Sequence, residues 1–157
     1  MIGKYILATF LLMSTISVSY AQKEPWNQPV VCASSAQFLE NLGELRARLP
    51  EQVAVDLDRA ILAIRHDCHE LGRTGVGKEE CDALFVEIIN GRRPTDIIFV
   101  GACFLLAQTD EQLKAFGTSA DGSFLPKEKI GPWQDIAVQR AFAIDMIKRY
   151  GSVGRIR

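Results

Sequence analysis

Ile97-Ile98-Phe99-Val100-Gly101-Ala102-Cys103-Phe104-Leu105-Leu106-Ala107 is an apolar run with no polar side chain apart from Cys103. How this run is read decides the fold. It is too short to cross a bilayer, which takes about 20 apolar residues. A buried strand and a buried helix share such a run, because periodicity alone cannot separate them. The flanks favour a helix: Thr95 stands where a cap belongs, and Ala107-Gln108 follows. A helix that is apolar all round must be surrounded by others. The expected fold is therefore all-α, a single small bundle of about five helices packed around residues 97–107.

The neighbouring segments supply those helices. After Ser34 or Ser35 as a cap, Phe38, Leu39, Leu42, Leu45 and Leu49 recur at the spacing of one helical face. Pro50 ends that helix and can open the next. In the second, Val53, Leu57, Ala60, Ile61, Ile64 and Cys68 form the apolar stripe, and Asp56, Asp58, Arg59 and Arg65 occupy much of the opposite face. Gly72 is a natural stop. The two helices are expected to fold back as an antiparallel hairpin. A third helix is expected at about 79–90, with Cys81, Leu84, Phe85, Ile88 and Ile89 inward and Asn90-Gly91 as its stop. A short amphipathic piece runs from Glu111 to Phe116, and residues 117–131 read as a loop. Pro132 opens the last helix, in which Trp133, Ile136, Ala137, Ala141, Ile144 and Ile147 share a face, and Gly151 ends it.

Residues 1–21 have the build of a secretory signal peptide. Lys4 supplies the positive start, an apolar stretch runs from Tyr5 to Met13, and Ser19-Tyr20-Ala21 puts small residues at the cleavage positions. No cysteine follows directly, as a lipid anchor would need. The expected mature domain spans residues 22–157, in the periplasm or outside the cell, with no transmembrane segment once the leader is removed. The whole chain carries 18 basic and 19 acidic residues, and losing Lys4 makes the charge −2. That balance argues against nucleic acid as a partner.

An even number of cysteines in an oxidising compartment reads as two disulfides among Cys32, Cys68, Cys81 and Cys103. Cys68–Cys81 with Cys32–Cys103 closes a short loop at one end of the bundle. Cys32–Cys68 with Cys81–Cys103 ties adjacent antiparallel helices. Both pairings stay open on the sequence.

Three patterns suggest chemistry. Gly72-Arg73-Thr74-Gly75-Val76-Gly77-Lys78 has the glycine spacing of a phosphate-binding loop. It lacks the Ser or Thr after the lysine and the preceding strand, so it reads as a linker. His66-Asp67-Cys68-His69-Glu70 gathers both histidines of the chain beside a cysteine. His66 and His69 are the candidate metal ligands, although zinc needs four groups and Cys68 is already assigned to a disulfide. No Gly-x-Ser-x-Gly elbow is present, and an even cysteine count leaves no free thiol as a nucleophile. No catalytic residue and no cofactor is assigned.

Ser34-Ser35-Ala36-Gln37-Phe38, Arg59-Ala60-Ile61 and Asn90-Gly91-Arg92-Arg93-Pro94-Thr95-Asp96-Ile97-Ile98 give the stretch from Ser34 to Ala102 a resemblance to a family of small uncharacterised bacterial secreted or lipid-anchored proteins. The chain departs from that pattern in its four cysteines, in Pro94 and in residues 103–157. The resemblance implies a helical fold and a periplasmic setting, and no activity. In general architecture the chain is also similar to periplasmic immunity proteins that neutralise toxins. The expected function is thus non-enzymatic binding or inhibition through a protein surface, with a toxin or an envelope enzyme as partner. The alternative is an envelope metal carrier or small enzyme using His66 and His69. Phe124 and Leu125, apolar residues within a glycine-containing loop, are the candidate partner surface, the alternative being that they fold down onto the bundle and pin the loop.

Overall fold

The computed structural model describes residues 27–73, 75, 77–116 and 125–151. Five helices follow one another: α1 (Ser35–Ala47), α2 (Glu51–Arg73), α3 (Lys78–Ile89), α4 (Pro94–Ala115) and α5 (Lys127–Tyr150). The described residues include no strand. The all-α expectation holds, and α4, which contains the apolar run, lies between α2 and α5 as its two principal neighbours.

Helix α1 is capped by Ser34, whose hydroxyl accepts from the Gln37 amide at 3.1 Å. The Gln37 side chain in turn accepts from the Ala33 amide at 2.7 Å. These two bonds satisfy donors that a helix start leaves open. The Pro50 carbonyl accepts the first bond of α2, from Ala54 at 3.0 Å, so Pro50 does sit at the junction. The expected α1–α2 hairpin does not form. Helix α1 packs mainly on α3, through an edge-to-face contact of Phe38 with Phe85 at 5.7 Å between centroids. Two buried aromatic rings hold α1 there, and its direct tie to α2 is the partly exposed Arg46–Asp58 ion pair.

The lead-in is anchored along the turn between α3 and α4. Val30 exchanges backbone bonds with Gly91 and Arg92, each at 2.8 Å. Asn27 accepts from the Thr95 hydroxyl at 3.1 Å, and Asn90 accepts from the Cys32 amide at 3.1 Å. Gly91 adopts φ +74°, where an L side chain is strained, and this reversal is what brings the turn against Val30.

Helix α4 differs from expectation in two ways. Pro94 occupies its first position, so Thr95 is inside the helix and holds the lead-in instead of capping. The helix also runs on through residues 108–115, absorbing the separate piece expected there. Thr109 is buried in this continuation and satisfies its hydroxyl within the helix, donating back to the Leu105 and Leu106 carbonyls at 2.8 and 3.0 Å. The run is not enclosed on every side, since Cys103 and Ala107 are exposed. Its buried face holds Ile97, Ile98, Gly101 and Ala102. These meet a core built from Leu57, Ala60, Ile61 and Ile64 of α2, Phe85 and Ile89 of α3 and Met146 of α5. Helix α5 begins at Lys127, ahead of Pro132, which lies inside it.

Candidate functional site

Helix α2 is 23 residues long and presents different chemistry on different faces. Its buried stripe of Leu57, Ala60, Ile61 and Ile64 packs into the core. At about 100° per residue, Val55, Arg59, Leu62 and His66 fall on the opposite side. There Leu62 is 67% exposed and Val55 38% exposed. On α5, one turn apart, Val138 and Phe142 are 53% and 42% exposed. Arg59 joins the two helices: its guanidinium lies 4.5 Å from the centroid of the Phe142 ring, a cation–π contact. Val55 and Leu62 on α2 and Val138 and Phe142 on α5 thus form an exposed apolar ridge along the two helices, which Arg59 ties together at Phe142.

Beside this ridge α2 and α3 enclose a cleft of about 880 Å³. Leu62, Arg65, His66, Cys68 and His69 line it from α2, and Lys78, Cys81, Asp82 and Phe85 from α3. The two candidate metal ligands therefore share this cleft, both on exposed positions. His66 stands 4.0 Å from the Glu70 carboxylate. Among the described residues no three His, Cys, Asp or Glu side chains come together as a group able to hold a metal ion, so the histidine pair lacks the further ligands a zinc site requires. A smaller cleft of about 340 Å³ separates the lead-in from α1. Glu44 and Arg48, its charged residues, pair with each other at 3.3 Å.

No disulfide joins any of the four cysteines, which corrects the expectation of two bridges. Cys32 is buried against the turn after α3, and Cys103 is exposed on α4. Cys68 and Cys81 do meet at the α2–α3 end, but the Cys81 thiol donates to the Cys68 carbonyl at 2.9 Å rather than bonding its sulfur. The Cys32–Cys68 pairing had assumed α1 lying along α2, and α1 goes to α3 instead. Burial, then the neighbouring Cys81 and Asp67, pushes the Cys68 thiol above its ordinary pKa. A neutral, buried thiol is a poor nucleophile.

At the other end of α2, Asp56 is fully buried. It accepts from Arg149 at 2.6 Å, from the Tyr150 hydroxyl at 2.8 Å and from Gln52 at 3.1 Å. Burial, then the hydrogen bond and charge of Asp56, pushes Tyr150 up to about 12. Every polar group here is engaged within the bundle, so the cluster fastens α5 to α2.

Leu125 is half-buried just ahead of α5. Phe124, the expected signal peptide at residues 1–21 and residues 117–123 of the expected 117–131 loop lie outside the described residues, and residues 127–131 belong to α5. The ridge was missed because Val55 and Leu62 look like ordinary helix positions. The available signal was their seven-residue spacing on the side away from the core stripe. Among the described residues no helix is long and apolar enough to cross a membrane. Compared with models of known protein families, with curated proteins and with solved structures, the chain matches none.

Proposed function

We propose that this chain is a secreted binding protein that acts through a protein surface, without turnover, on a toxin or an envelope enzyme. The observation that carries this reading is the ridge of Val55, Leu62, Val138 and Phe142, tied by Arg59 at Phe142. Phe142 with Arg59 held against its ring is the aromatic–arginine combination enriched in interface cores, and Val55, Leu62 and Val138 extend the apolar surface beside it. Scattered surface leucines would need no explanation, whereas a ridge spanning two helices does. Secretion rests on residues 1–21 and on the resemblance of the 34–102 stretch to secreted bacterial proteins.

The test is capture from the native envelope with the parent chain and with Val138→Asp/Phe142→Asp. Both positions are exposed, so circular dichroism should be nearly unchanged and the thermal unfolding midpoint should fall only by the lost Arg59–Phe142 contact. The parent should retain a specific partner in stoichiometric amount, and the variant should lose it. Equal retention by both chains would refute the ridge as the binding surface.

A further inference from the structure

The α2–α3 cleft separates apolar from charged groups. Cys68 and Phe85 are buried along it, Cys81 is half-buried, and Leu62 supplies exposed hydrocarbon. Arg65, His66, His69 and Lys78 line the same cleft from exposed positions. The only carboxylate in the lining is Asp82, and it already accepts from the Ser35 hydroxyl at 2.9 Å. Among the described residues, neither Arg65 nor Lys78 forms an ion pair. The cleft therefore offers apolar walls and two uncompensated cations, with two imidazoles as further polar groups.

We propose that this cleft binds a single-chain amphiphile with an anionic head. The hydrocarbon chain lies against Leu62, Cys68, Cys81 and Phe85, where its burial removes apolar surface from water. The head meets Arg65 and Lys78, which attract an anion and repel a cation. A volume of about 880 Å³ suits a ligand of this size, small-molecule sites being roughly 300–1,000 Å³ with apolar walls and a few polar groups. Asp82 keeps its negative charge, and against it stand the two cations Arg65 and Lys78 in the same lining. The cleft shares Leu62 with the proposed partner surface, but Val138 and Phe142 lie outside its lining, so the two sites can be tested apart.

Isothermal titration calorimetry of the full chain tests the proposal. The probes are dodecanoate, dodecyl phosphate and dodecyltrimethylammonium, each kept below its micelle concentration. The expected result is saturable one-to-one binding of dodecanoate, dodecyl phosphate or both, with the cation much weaker. Binding of only one anion identifies the head as carboxylate or phosphate. Arg65→Glu/Lys78→Glu should weaken anion binding by roughly tenfold. Both residues are exposed, and circular dichroism verifies that the variant is folded. Alkylation of Cys81, followed by peptide mass, should slow when the cleft is filled. Val138→Asp/Phe142→Asp should bind the amphiphile like the parent, so failure of the partner surface and failure of the cleft are separable. Equal binding of the cation, unchanged binding by the charge-reversed variant, or no saturable binding would each overturn the proposal.

Discussion

Gly101→Ala adds one methyl group at the closest approach of two helices. A Cβ at Gly101 would stand 2.4 Å from the Ala60 Cβ, 2.5 Å from its Cα and 2.6 Å from its carbonyl oxygen. Carbon atoms in ordinary contact lie about 3.5–4.0 Å apart, so α2 and α4 would have to separate by roughly 1–1.5 Å. Two of the three obstructing atoms are backbone, and no rotamer change relieves them. Separation would loosen Leu57, Ile61 and Ile64 against Ile97 and Ile98, all of them buried. Overpacking of this kind costs about 1–3 kcal/mol, and a forced backbone shift puts it at the upper end. Alanine recovers roughly 1 kcal/mol through its better helix propensity. The net loss should be about 2 kcal/mol, which lowers Tm by roughly 6–10 °C in a domain of this size. Far-ultraviolet circular dichroism during thermal and urea unfolding measures it. Gly43→Ala is the control, because a Cβ there meets nothing within 4 Å, and it should stabilise the chain by up to about 1 kcal/mol. Ala60→Gly should rescue Gly101→Ala only in part, since the Ala60 Cα and carbonyl oxygen remain. If Gly101→Ala behaves like Gly43→Ala, the close crossing of α2 and α4 is wrong.

Asp56→Ala strands Arg149 and the Tyr150 hydroxyl and should cost about 3 kcal/mol by urea unfolding, whereas Asp56→Asn, which keeps hydrogen-bonding atoms, should cost less. Tyr150 carries a pKa raised to about 12, above an ordinary value of about 10, so the folded state holds this proton more tightly than the unfolded chain does. Its contribution is complete below pH about 10 and is lost as pH rises towards about 12. Difference titration of phenolate absorbance between the parent and Tyr150→Phe should show the late transition, and an ordinary one would refute the Asp56 contact. Non-reducing peptide mapping should find four free thiols, with the exposed Cys103 alkylated in the folded chain well before the buried Cys32 and Cys68. A Cys32–Cys68 cross-linked peptide would contradict the packing of α1 on α3.

The elements were more legible than their assembly. The apolar run from Ile97 to Ala107 was readable as a central helix because its flanks resolve what periodicity leaves open. Its continuation to Ala115 was not readable, because Gln108, Thr109 and Asp110 look like a break. The fold gives each a partner: Gln108 donates to the Ala63 carbonyl at 2.9 Å, Thr109 bonds back within its own helix, and Asp110 pairs with Arg140 at 2.6 Å. Two of those three partners lie on other helices, and sequence spacing carries no record of them. The cysteine expectation failed for a related reason. Counting thiols tells which compartment to consider, but pairing depends on where α1 goes. That was decided by Phe38 meeting Phe85, residues 47 positions apart.

Helix α2 shows how the candidate surface escaped a reading of periodicity. Asp56 was assigned to the solvated face with Asp58, Arg59 and Arg65, yet it is fully buried while Leu62 is mostly exposed. Asp56 sits at the edge of the apolar stripe, about 100° from Leu57. Arg149 and Tyr150 reach it from α5 and supply the hydrogen bonds that make a buried carboxylate tolerable. Once α5 is fastened there, Arg59 is drawn over Phe142 instead of standing free in water. The remaining outer positions, Val55 and Leu62, are left uncovered. Neither belongs to the buried core. Apolar side chains that the core does not use, set beside an arginine already held against an aromatic ring, are what a binding surface requires. The same helix therefore supplies core, fastening point and candidate contact surface, separated by no more than its 100° step.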